Sequence, residues 1–371
     1  MKFTCKTKEL SDACSNVIRA VSTKVTIPAI EGIYMTARGE SLYLKGYDFE
    51  FGINTSIDAT VHEEGAIILN AKILCDIIRR LGEENVTFEV NERLTTTITS
   101  GAAQYSIIGI DADEYPELPF VTGGVPVILK QDLLRNMISQ TIFAVADAEN
   151  SRPIHTGLRF EITKDQIRLV GIDGFRLAMR TEKISYDSDE ISFVVPKKTM
   201  REVTKLMSDT DEDISINVGK RHIVFELGNY SIISRLIDGE FLNYYDVIPK
   251  TIETTVLMNT RQAINCIEKA IPVISDSTKN PIRCIFDNDM MRVSSVTSLG
   301  KVVDTCHANV SGNRIEIGFN IRYMLDALNN CEDDEIMIEL VNGISPVKIV
   351  PMQGDSFLFL VLPVRLKRNE N

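Results

Sequence analysis

Long apolar runs are missing from this sequence of 371 residues. No stretch approaches the roughly 20 consecutive apolar residues that a membrane-spanning helix needs. The N-terminal segment MKFTCKTKEL also lacks the apolar core of a secretory signal peptide. The sequence therefore predicts a cytoplasmic protein that makes no contact with a membrane.

Paired cysteine motifs are missing as well. The cysteines are odd in number, scattered along the chain and without CxxC spacing, namely Cys5, Cys14, Cys75, Cys266, Cys284, Cys306 and Cys331. This pattern argues against both a disulfide framework and a zinc site. We interpret them as small apolar residues of the core.

Catalytic signatures are also absent. The sequence contains no GxGxxG, no GxxxxGK[ST], no HExxH and no GxSxG. Its four histidines stand far apart in the sequence, at His62, His155, His222 and His307. The sequence therefore predicts no metal ion, no cofactor and no catalytic constellation.

Positive charge is in the minority, with 40 Lys and Arg against 52 Asp and Glu and a formal net charge of −12. An acidic chain binds nucleic acid only where positive charge is locally concentrated, because the phosphate backbone must be neutralised. The distribution of charge therefore matters more than its sum.

The strongest positive feature is an internal repeat. Alternating apolar residues flank Asp173-Gly174, a pair that favours a hairpin turn. Gly46 and Asp48 stand 125 residues before Gly171 and Asp173, and a weaker third copy begins at Met291. Three units of about 124 residues fit the usual domain size. We expect domains at residues 1–122, 123–252 and 253–371.

Each unit shows the order helix, strands, helix, strands, which predicts an α+β fold with two helices packed on antiparallel sheets. In the first unit, apolar residues from Leu10 to Ala20 recur at helical spacing, and Asn70 is a candidate N-cap. The second helices of the other two units are expected to start at Pro196 and after Asn320. Alternating strands fill the intervals, including 86–90, 94–99, 104–110, 214–218, 223–227 and 230–237.

Basic residues gather on the predicted second helices. Lys197, Lys198, Arg201 and Lys205 recur at i, i+1, i+4 and i+8, on the side opposite the apolar stripe. Lys72, Arg79 and Arg80 repeat this arrangement in the first unit. These helix faces could simply be solvated. If they face a common axis, the acidic chain offers a basic interior to a phosphate backbone.

Several runs of residues, in order and at near-constant spacing, resemble the β sliding clamps of bacterial DNA polymerase III. They are Ser151-Arg152 with Gly157, the runs from Gly171 to Ala178 and from Leu236 to Pro249, and the ending Leu362-Pro-Val-Arg-Leu366. The resemblance implies a head-to-tail homodimer whose six similar domains close into a ring around double-stranded DNA. It further implies that the clamp is not an enzyme and that an ATP-driven clamp loader, through its delta subunit, opens and loads it.

The resemblance also implies a groove between the second and third domains that binds short peptides. Its partners would be the polymerase III alpha subunit, the clamp loader and other clamp-motif proteins. By matching motif, the walls would be His155, Ile172, Gly174, Phe175, Arg176, Leu177, Leu242, Val247, Pro346, Val347, Val361, Leu362, Pro363, Val364 and Arg365. Leu177, Val247 and Val361 could instead belong to the core. Two positions, His155 and Asp246, depart from the family pattern.

Two further sets of residues follow from the resemblance. The DNA-facing set is Lys24, Lys72, Arg79, Arg80, Arg152, Lys197, Lys198, Arg201 and Lys205. The ring contact would join Tyr105 and Ile107 of one subunit to Val273 and Ile274 of the next. Two other classes stay open, an enzyme with a cleft around Asp173, Arg176 and His155, and a protein scaffold that never meets DNA.

Overall fold

The fold is taken from a computed structural model, which describes residues 1–22, 27–121, 124–147, 151–208, 210–274 and 280–366. Within these residues the chain has six α-helices, of which each predicted repeat contains two. They are α1 (Thr7–Val17), α2 (Ala71–Ile78), α3 (Gln131–Ile142), α4 (Lys197–Leu206), α5 (Thr260–Glu268) and α6 (Ile321–Asn329).

The strands between these helices are antiparallel and follow the predicted order. Those of the first repeat are β1 (Lys2–Lys6), β2 (Gly32–Arg38), β3 (Ser41–Tyr47), β4 (Phe51–Glu63), β5 (Gly65–Asn70), β6 (Asn85–Val90), β7 (Thr95–Ser100) and β8 (Ala103–Ile108). Those of the second are β9 (Val127–Lys130), β10 (Gly157–Ile162), β11 (Gln166–Ile172), β12 (Arg176–Lys183), β13 (Ile191–Pro196), β14 (Asp213–Val218), β15 (His222–Leu227) and β16 (Tyr230–Arg235). Those of the third are β17 (Thr254–Asn259), β18 (Ile282–Asp287), β19 (Met290–Thr297), β20 (Gly300–His307), β21 (Asn309–Gly312), β22 (Ile315–Phe319), β23 (Glu335–Leu340), β24 (Val347–Pro351) and β25 (Phe357–Val361).

The chain forms two compact units, which cut across the second repeat. Unit 1 comprises Met1–Leu134 with Lys198–Leu236, and unit 2 comprises Arg135–Lys197 with Ile237–Asn371. The reason lies in the strand pairing, because β16 pairs with β4 of the first repeat and β12 pairs with β25 of the third. The three domain boundaries expected from the sequence remain a prediction.

Unit 1 holds one twelve-stranded sheet. Its main path runs β8-β7-β6-β1-β4-β16-β15-β14-β9, and β2, β3 and β5 extend it from β4. Side chains alternate along these strands between buried and exposed, as Leu42 and Leu44 do around Tyr43. The helices cover the buried face, since Leu10 of α1 and Leu74 of α2 are fully enclosed. This burial of apolar area stabilises the unit.

Unit 2 holds a nine-stranded and a four-stranded sheet. The larger runs β13-β10-β11-β12-β25-β24-β23-β17-β21 and the smaller β20-β19-β18-β22. One buried cluster includes Ile267 of α5, Leu328 of α6, Phe319 and Phe359. In the strand order, β25 lies between β12 and β24, so it is inside the larger sheet rather than at its edge. The predicted C-terminal strand ends at Val361, earlier than the apolar run suggests.

The repeat is also visible in the glycines. A Cβ on Gly46 would stand 2.5 Å from the carbonyl oxygen of Val17, near the end of α1. A Cβ on Gly171 would stand 2.4 Å from that of Thr141, near the end of α3. Glycine is required at both positions because strand and helix backbones approach closely. The spacing of 125 residues thus reflects the same helix-to-strand contact made twice.

The helix starts are confirmed except at Pro196. The Oδ1 of Asn70 accepts from the backbone N–H of Ile73 at 3.1 Å, and that of Asn320 from Arg322 at 2.9 Å. Pro196 instead ends β13, opposite Gly157, and α4 begins at Lys197. Proline is tolerated at a strand end because the ladder no longer needs its N–H.

All seven cysteines carry free thiols, and five of them are buried. Cys306 and Cys331 are half-buried. Among the described residues, no helix is long and apolar enough to cross a membrane.

Candidate functional site

The hairpin from β11 to β12 begins the candidate site. The N–H of Asp173 donates to the carbonyl of Arg176 at 3.3 Å, so Gly174 and Phe175 are the central residues of the turn. The Oδ1 of Asp173 accepts from the backbone N–H of Phe175 at 2.9 Å and of Arg176 at 3.0 Å. The hairpin is confirmed, but Asp173 precedes the turn pair and caps it. Gly174 has φ +88, which explains the glycine.

Asp48 performs the same task in the first repeat. Its Oδ1 accepts from the N–H of Glu50 at 3.1 Å and of Phe51 at 2.7 Å. Both aspartates therefore serve the backbone of a turn, as the sequence pattern predicts.

Arg176 joins this hairpin to α6. Its Nε donates to Asp173 at 2.8 Å, and its Nη1 donates to Asp326. The guanidinium carbon lies 4.5 Å from the ring centre of Tyr323. Burial opposes the charge on Arg176, but the hydrogen bonds to Asp326 and Asp173 outweigh it and raise the pKa. Arg176 is thus a fully engaged cation in a surface that α6 completes.

The final strand positions the other side of the site. The register pairs Arg176 of β12 with Val361 of β25, and Val361 with Val347 of β24. Just beyond β25, the N–H of Leu362 donates to the carbonyl of Phe175 at 2.9 Å. The N–H of Val364 donates to the carbonyl of Gly318 at 2.8 Å. The C-terminal segment is therefore fixed to the hairpin and to β22.

The segment after β16 supplies the remaining wall. Phe241 and Tyr244 are buried in one cluster with Leu177 and Leu360. The carboxylate of Glu161 in β10 accepts from the hydroxyl of Tyr244 at 2.6 Å. These contacts hold the segment after β16, here called the linker, against the sheet. They leave Leu242 and Val247 on the surface, 38% and 40% exposed.

The fifteen residues expected in the groove all lie in unit 2 and differ in exposure. The buried members are Ile172, Leu177, Val347 and Val361. Half-buried are His155, Arg176, Pro346 and Pro363, and exposed are Gly174, Phe175, Leu242, Val247, Leu362, Val364 and Arg365. Leu177 and Val361 therefore support the surface from below, while Val247 stands on it.

His155 lies beneath the linker rather than in an open cleft. The rings of His155 and Phe241 form a T-shaped pair with centroids 5.4 Å apart, and the Nε2 of His155 is buried with no hydrogen-bond partner among the described residues. Burial, followed by the charge of Arg152, lowers the pKa of His155. With Asp173 capping a turn and Arg176 held by two carboxylates, these three side chains form no acid-base pair.

Three further residues, Glu161, Tyr323 and Asp326, belong to the site although the sequence patterns do not predict them. The ring of Tyr323 stacks on Phe175 at 6.0 Å, and Asp326 binds Arg176 from the next turn of α6. Their spacing of three residues on a predicted helix was a weak signal that one helix face is polar and aromatic. The link to a hairpin 150 residues away had no signal in the sequence.

The basic helix faces are only partly free. In α4, Lys197 donates to the carbonyl of Val145 at 2.8 Å and to Asp147 at 2.9 Å, and it is half-buried. The spacing predicts that all four basic side chains share the solvent-facing side of α4. Lys197 does not share that side with Lys198, Arg201 and Lys205. Lys198 lies 2.7 Å from Asp48 and Lys205 lies 2.7 Å from Glu202.

In unit 1, Lys72 lies on α2, while Arg79 and Arg80 follow the end of the helix. Asp76 pairs with both arginines, at 3.8 Å and 3.9 Å. Arg152 is exposed in unit 2, and Lys24 lies outside the described residues.

Of the residues expected at the ring contact, one pair lies on a terminal strand and the other lies outside the strands. Tyr105 and Ile107 are half-buried on β8, the terminal strand of its sheet. Val273 and Ile274 follow α5, and the carbonyl of Val273 accepts from Thr297 of β19 at 2.6 Å. The neighbouring β20 ends the four-stranded sheet.

Metal chemistry has no candidate centre in the described part of the chain, where no three His, Cys, Asp or Glu side chains cluster to hold an ion. The site is instead a mixed apolar and charged surface on rigid strands. Such a surface is suited to binding a partner rather than to catalysing a reaction.

Three family models match successive parts of the chain. They are the N-terminal domain of the DNA polymerase III beta subunit over residues 1–119, its central domain over 128–243 and its C-terminal domain over 245–365. The Beta sliding clamp of Staphylococcus epidermidis is 31% identical and covers 98% of this chain and 99% of its own.

Solved structures agree with these matches. The DNA polymerase sliding clamp of Bacillus subtilis is 30% identical with a TM-score of 0.96, covering 99% of this chain and 100% of its own. The DNA polymerase III beta subunit of Thermotoga maritima is 27% identical with a TM-score of 0.89, at 99% and 100% coverage. This chain belongs to the DNA polymerase III beta subunit family, the beta sliding clamps, and is a non-catalytic processivity factor.

Proposed function

We propose that this clamp binds the short peptide motifs of its partners on the surface formed by Phe175, Leu242, Val247, Leu362 and Val364. These five apolar side chains are between 36% and 59% exposed. They rise from a base of buried residues that strands β12, β24 and β25 hold in register. Exposed apolar side chains on a rigid base are the usual form of a peptide anchor site. This combination is the observation that carries the proposal.

The partners we propose are the polymerase III alpha subunit, the delta subunit of the clamp loader and other proteins with a clamp motif. One surface can serve them in turn because each presents a short segment with an apolar anchor. Binding in this way raises the effective concentration of the polymerase at the primer end without tight DNA binding.

Double-stranded DNA is the proposed occupant of a ring lined by basic helices. Lys72, Arg79, Arg80, Lys198, Arg201 and Lys205 support this because they are exposed on or beside α2 and α4. Arg152 joins them, whereas Lys197 contributes little because Asp147 and the carbonyl of Val145 already bind it. The acidic partners of several of these cations keep the electrostatic attraction weak, which suits sliding.

The ring is proposed to form by head-to-tail pairing of two chains. Terminal strands such as β8 and β20 present unpaired backbone N–H and C=O groups, which another chain can satisfy. Tyr105 and Ile107 on one chain would meet Val273 and Ile274 of the other. A contact between two different surfaces closes only when the rotation per subunit is right. We further propose that the ring works in the cytoplasm.

Retention on DNA tests the proposal. The clamp, loaded by a clamp loader onto nicked circular DNA, should stay bound through a high-salt gel filtration column and be lost once a nuclease linearises the circle. An Ile107→Asp variant should lose retention because the charge disrupts ring closure, whereas Tyr43→Asp, at an exposed position of β3, should keep it. Equal loss from circular and linear DNA would contradict the proposed ring.

A further inference from the structure

Unit 1 contains a surface cavity that is separate from the proposed peptide surface of unit 2. Its volume is about 750 Å³. Strands β2, β3, β4, β14, β15 and β16 form its floor, and residues 112–121 form one wall. This size falls within the range of ligand-binding clefts, which is roughly 300–1,000 Å³.

The floor carries one continuous row of polar side chains. The strand register places Tyr34 beside Lys45, Lys45 beside Asn54, Asn54 beside Ser231 and Ser231 beside Glu226. Directly opposed residues of antiparallel strands point to the same face of the sheet. All five line the cavity. The row therefore crosses five strands at right angles to them.

The two charges of this row lie at separate positions, and the carboxylates of Asp113 and Glu117 line the same cavity without pairing with Lys45. Neither Lys45 nor Glu226 has an ion-pair partner among the described residues, although the Lys45 ammonium lies 5.2 Å from the centre of the Tyr34 ring. Asn54 stands between them, and its Oδ1 is buried without a hydrogen-bond donor from the described chain. Asn54 and Ser231 both line the cavity, so an amide side chain above them would find polar partners for hydrogen bonds.

The spacing of the row fits an extended peptide. Lys45 and Glu226 are separated by three strand intervals, which amounts to about 14 Å. In an extended peptide, side chains at i, i+2 and i+4 point to one side and span about 13 Å. An acidic residue over Lys45 would therefore place the residue two positions on over Asn54 and Ser231, and the residue four positions on over Glu226.

By the internal repeat, this cavity and the peptide surface of unit 2 occupy equivalent positions. Tyr115, 9% exposed, stands 126 residues before Phe241, 8% exposed, and each anchors the segment that follows the last strand of its repeat. The strand pairing repeats as well. Gly52 pairs with Ile233, and Leu177, which stands 125 residues after Gly52, pairs with Leu360. The cavity is thus the counterpart in unit 1 of the proposed peptide surface, with Lys45, Asn54 and Glu226 on its floor.

We propose that this cavity, here called the polar-row site, is a second peptide-binding site. Its ligand is an extended segment of a partner protein with an acidic residue at i, an amide residue at i+2 and a basic residue at i+4. The intervening side chains face away from the sheet, where Leu118 and the 88% exposed Phe120 offer apolar contact. A partner bound at both sites would hold the clamp more firmly than at either alone.

The probe for this site is a fluorescein-labelled peptide, Gly-Asp-Val-Asn-Val-Lys-Gly, titrated with the full-length protein by fluorescence anisotropy. We expect saturable binding. Lys45→Gln and Glu226→Gln should each weaken it by about threefold to fivefold, the upper range for a solvent-exposed ion pair. Glu92→Gln, at another exposed acidic position of unit 1, should not change it. Leu362→Asp in unit 2 should leave it intact, so failure of the proposed peptide surface there would not affect the result.

A charge exchange provides the decisive comparison. A second probe, Gly-Asp-Val-Asn-Val-Asp-Gly, should bind the unaltered protein at least threefold more weakly than the first, and Glu226→Lys should reverse this preference. The proposal is overturned if no probe binds saturably. It is equally overturned if binding is indifferent to Lys45 and Glu226, or if Glu226→Lys does not exchange the preference.

Discussion

The hydroxyl of Tyr244 donates a 2.6 Å hydrogen bond to Oε2 of Glu161, and this bond fastens the linker after β16 to strand β10. Tyr244 is 2% exposed, so the bond is shielded from water. Burial and this hydrogen bond raise the pKa of Tyr244 well above its usual range, and the hydroxyl therefore stays protonated.

Tyr244→Phe should lower the free energy of unfolding by about 1.5–3 kcal/mol, the contribution of a hydrogen bond to a charged group. It should also weaken peptide binding, because Leu242 and Val247 lose their fixed position. Urea unfolding and peptide titration measure the two effects. Tyr43→Phe is the control, since Tyr43 is 43% exposed and its hydroxyl makes no hydrogen bond in the described chain, so the loss of that hydroxyl should cost less. Equal effects from both variants would contradict this role for Tyr244.

Neighbouring residues at the end of β25 should respond differently to the same change. Leu362 is 37% exposed, so Leu362→Ala should reduce peptide affinity and leave the unfolding free energy within about 0.5 kcal/mol. Val361 is fully buried, so Val361→Ala should destabilise the fold by about 1–3 kcal/mol through the cavity it leaves. Peptide titration and thermal unfolding separate the two outcomes. Unchanged affinity in the folded Leu362→Ala variant would remove Leu362 from the peptide surface.

Arg176 should not be replaceable by lysine. Its planar guanidinium contacts Asp173 and Asp326 together and lies over Tyr323, a geometry that a single ammonium cannot reproduce. We expect Arg176→Lys to lower the unfolding free energy by about 1–3 kcal/mol, because one carboxylate loses its partner. Arg180→Lys should cost less, because among the described residues Arg180 forms an ion pair only with Glu182. A similar loss from both would show that the second carboxylate adds nothing.

The salt dependence of DNA binding should identify the cations that meet phosphate. For double-stranded DNA the slope of log K against log salt falls by about 0.9 for each phosphate contact removed. Arg201 has no ion-pair partner in the described chain, so Arg201→Gln should lower the slope by close to that amount. Lys205→Gln should have a smaller effect because Glu202 already binds the ammonium. Lys183→Gln, exposed on β12, is the matched control, and an effect there as large as at Arg201 would argue against α4 as the DNA-facing helix.

His155 should make the fold less stable in mild acid. Burial, then the charge of Arg152, lowers its pKa below 6.5, so the folded state resists protonation and the unfolded state does not. Stability that is present above pH 6.5 is therefore lost as the pH falls from 6.5 toward the lower folded pKa. Urea unfolding at pH 7.5 and 5.5 should show a smaller difference for His155→Asn than for the unaltered protein. His222, whose pKa burial also lowers, must be replaced separately as the comparison.

The repeat, the helix starts and most strands could be predicted because they depend on local patterns. Asn70 and Asn320 cap helices through their own side chains, and Gly46 and Gly171 mark a close contact that recurs at fixed spacing. Pro196 misled because proline suits both the first turn of a helix and the end of a strand. The local sequence does not distinguish these cases, and the pairing of Pro196 with Gly157 decides between them.

The functional surface was likewise predictable only in part from the sequence. Family resemblance pointed to the residues around Phe175, Leu242 and Leu362, but alternation alone did not separate exposed Val247 from buried Val361. Likewise, the charge pattern of α4 gave four equivalent cations, whereas Lys197 is turned to the carbonyl of Val145. In each case the neighbours that decide exposure come from distant parts of the chain.

The sequence by itself determined the threefold repeat, the α+β class and the family, because side-chain periodicity and turn chemistry act over a few residues and recur 125 residues later. Only the tertiary structure decided which side chains remain free to bind. Arg176 is engaged by Asp326, 150 residues away, and Lys45 and Glu226 share one row only because β4 pairs with β16. Contacts of this kind depend on strand register between separate repeats, which no local pattern in the chain encodes.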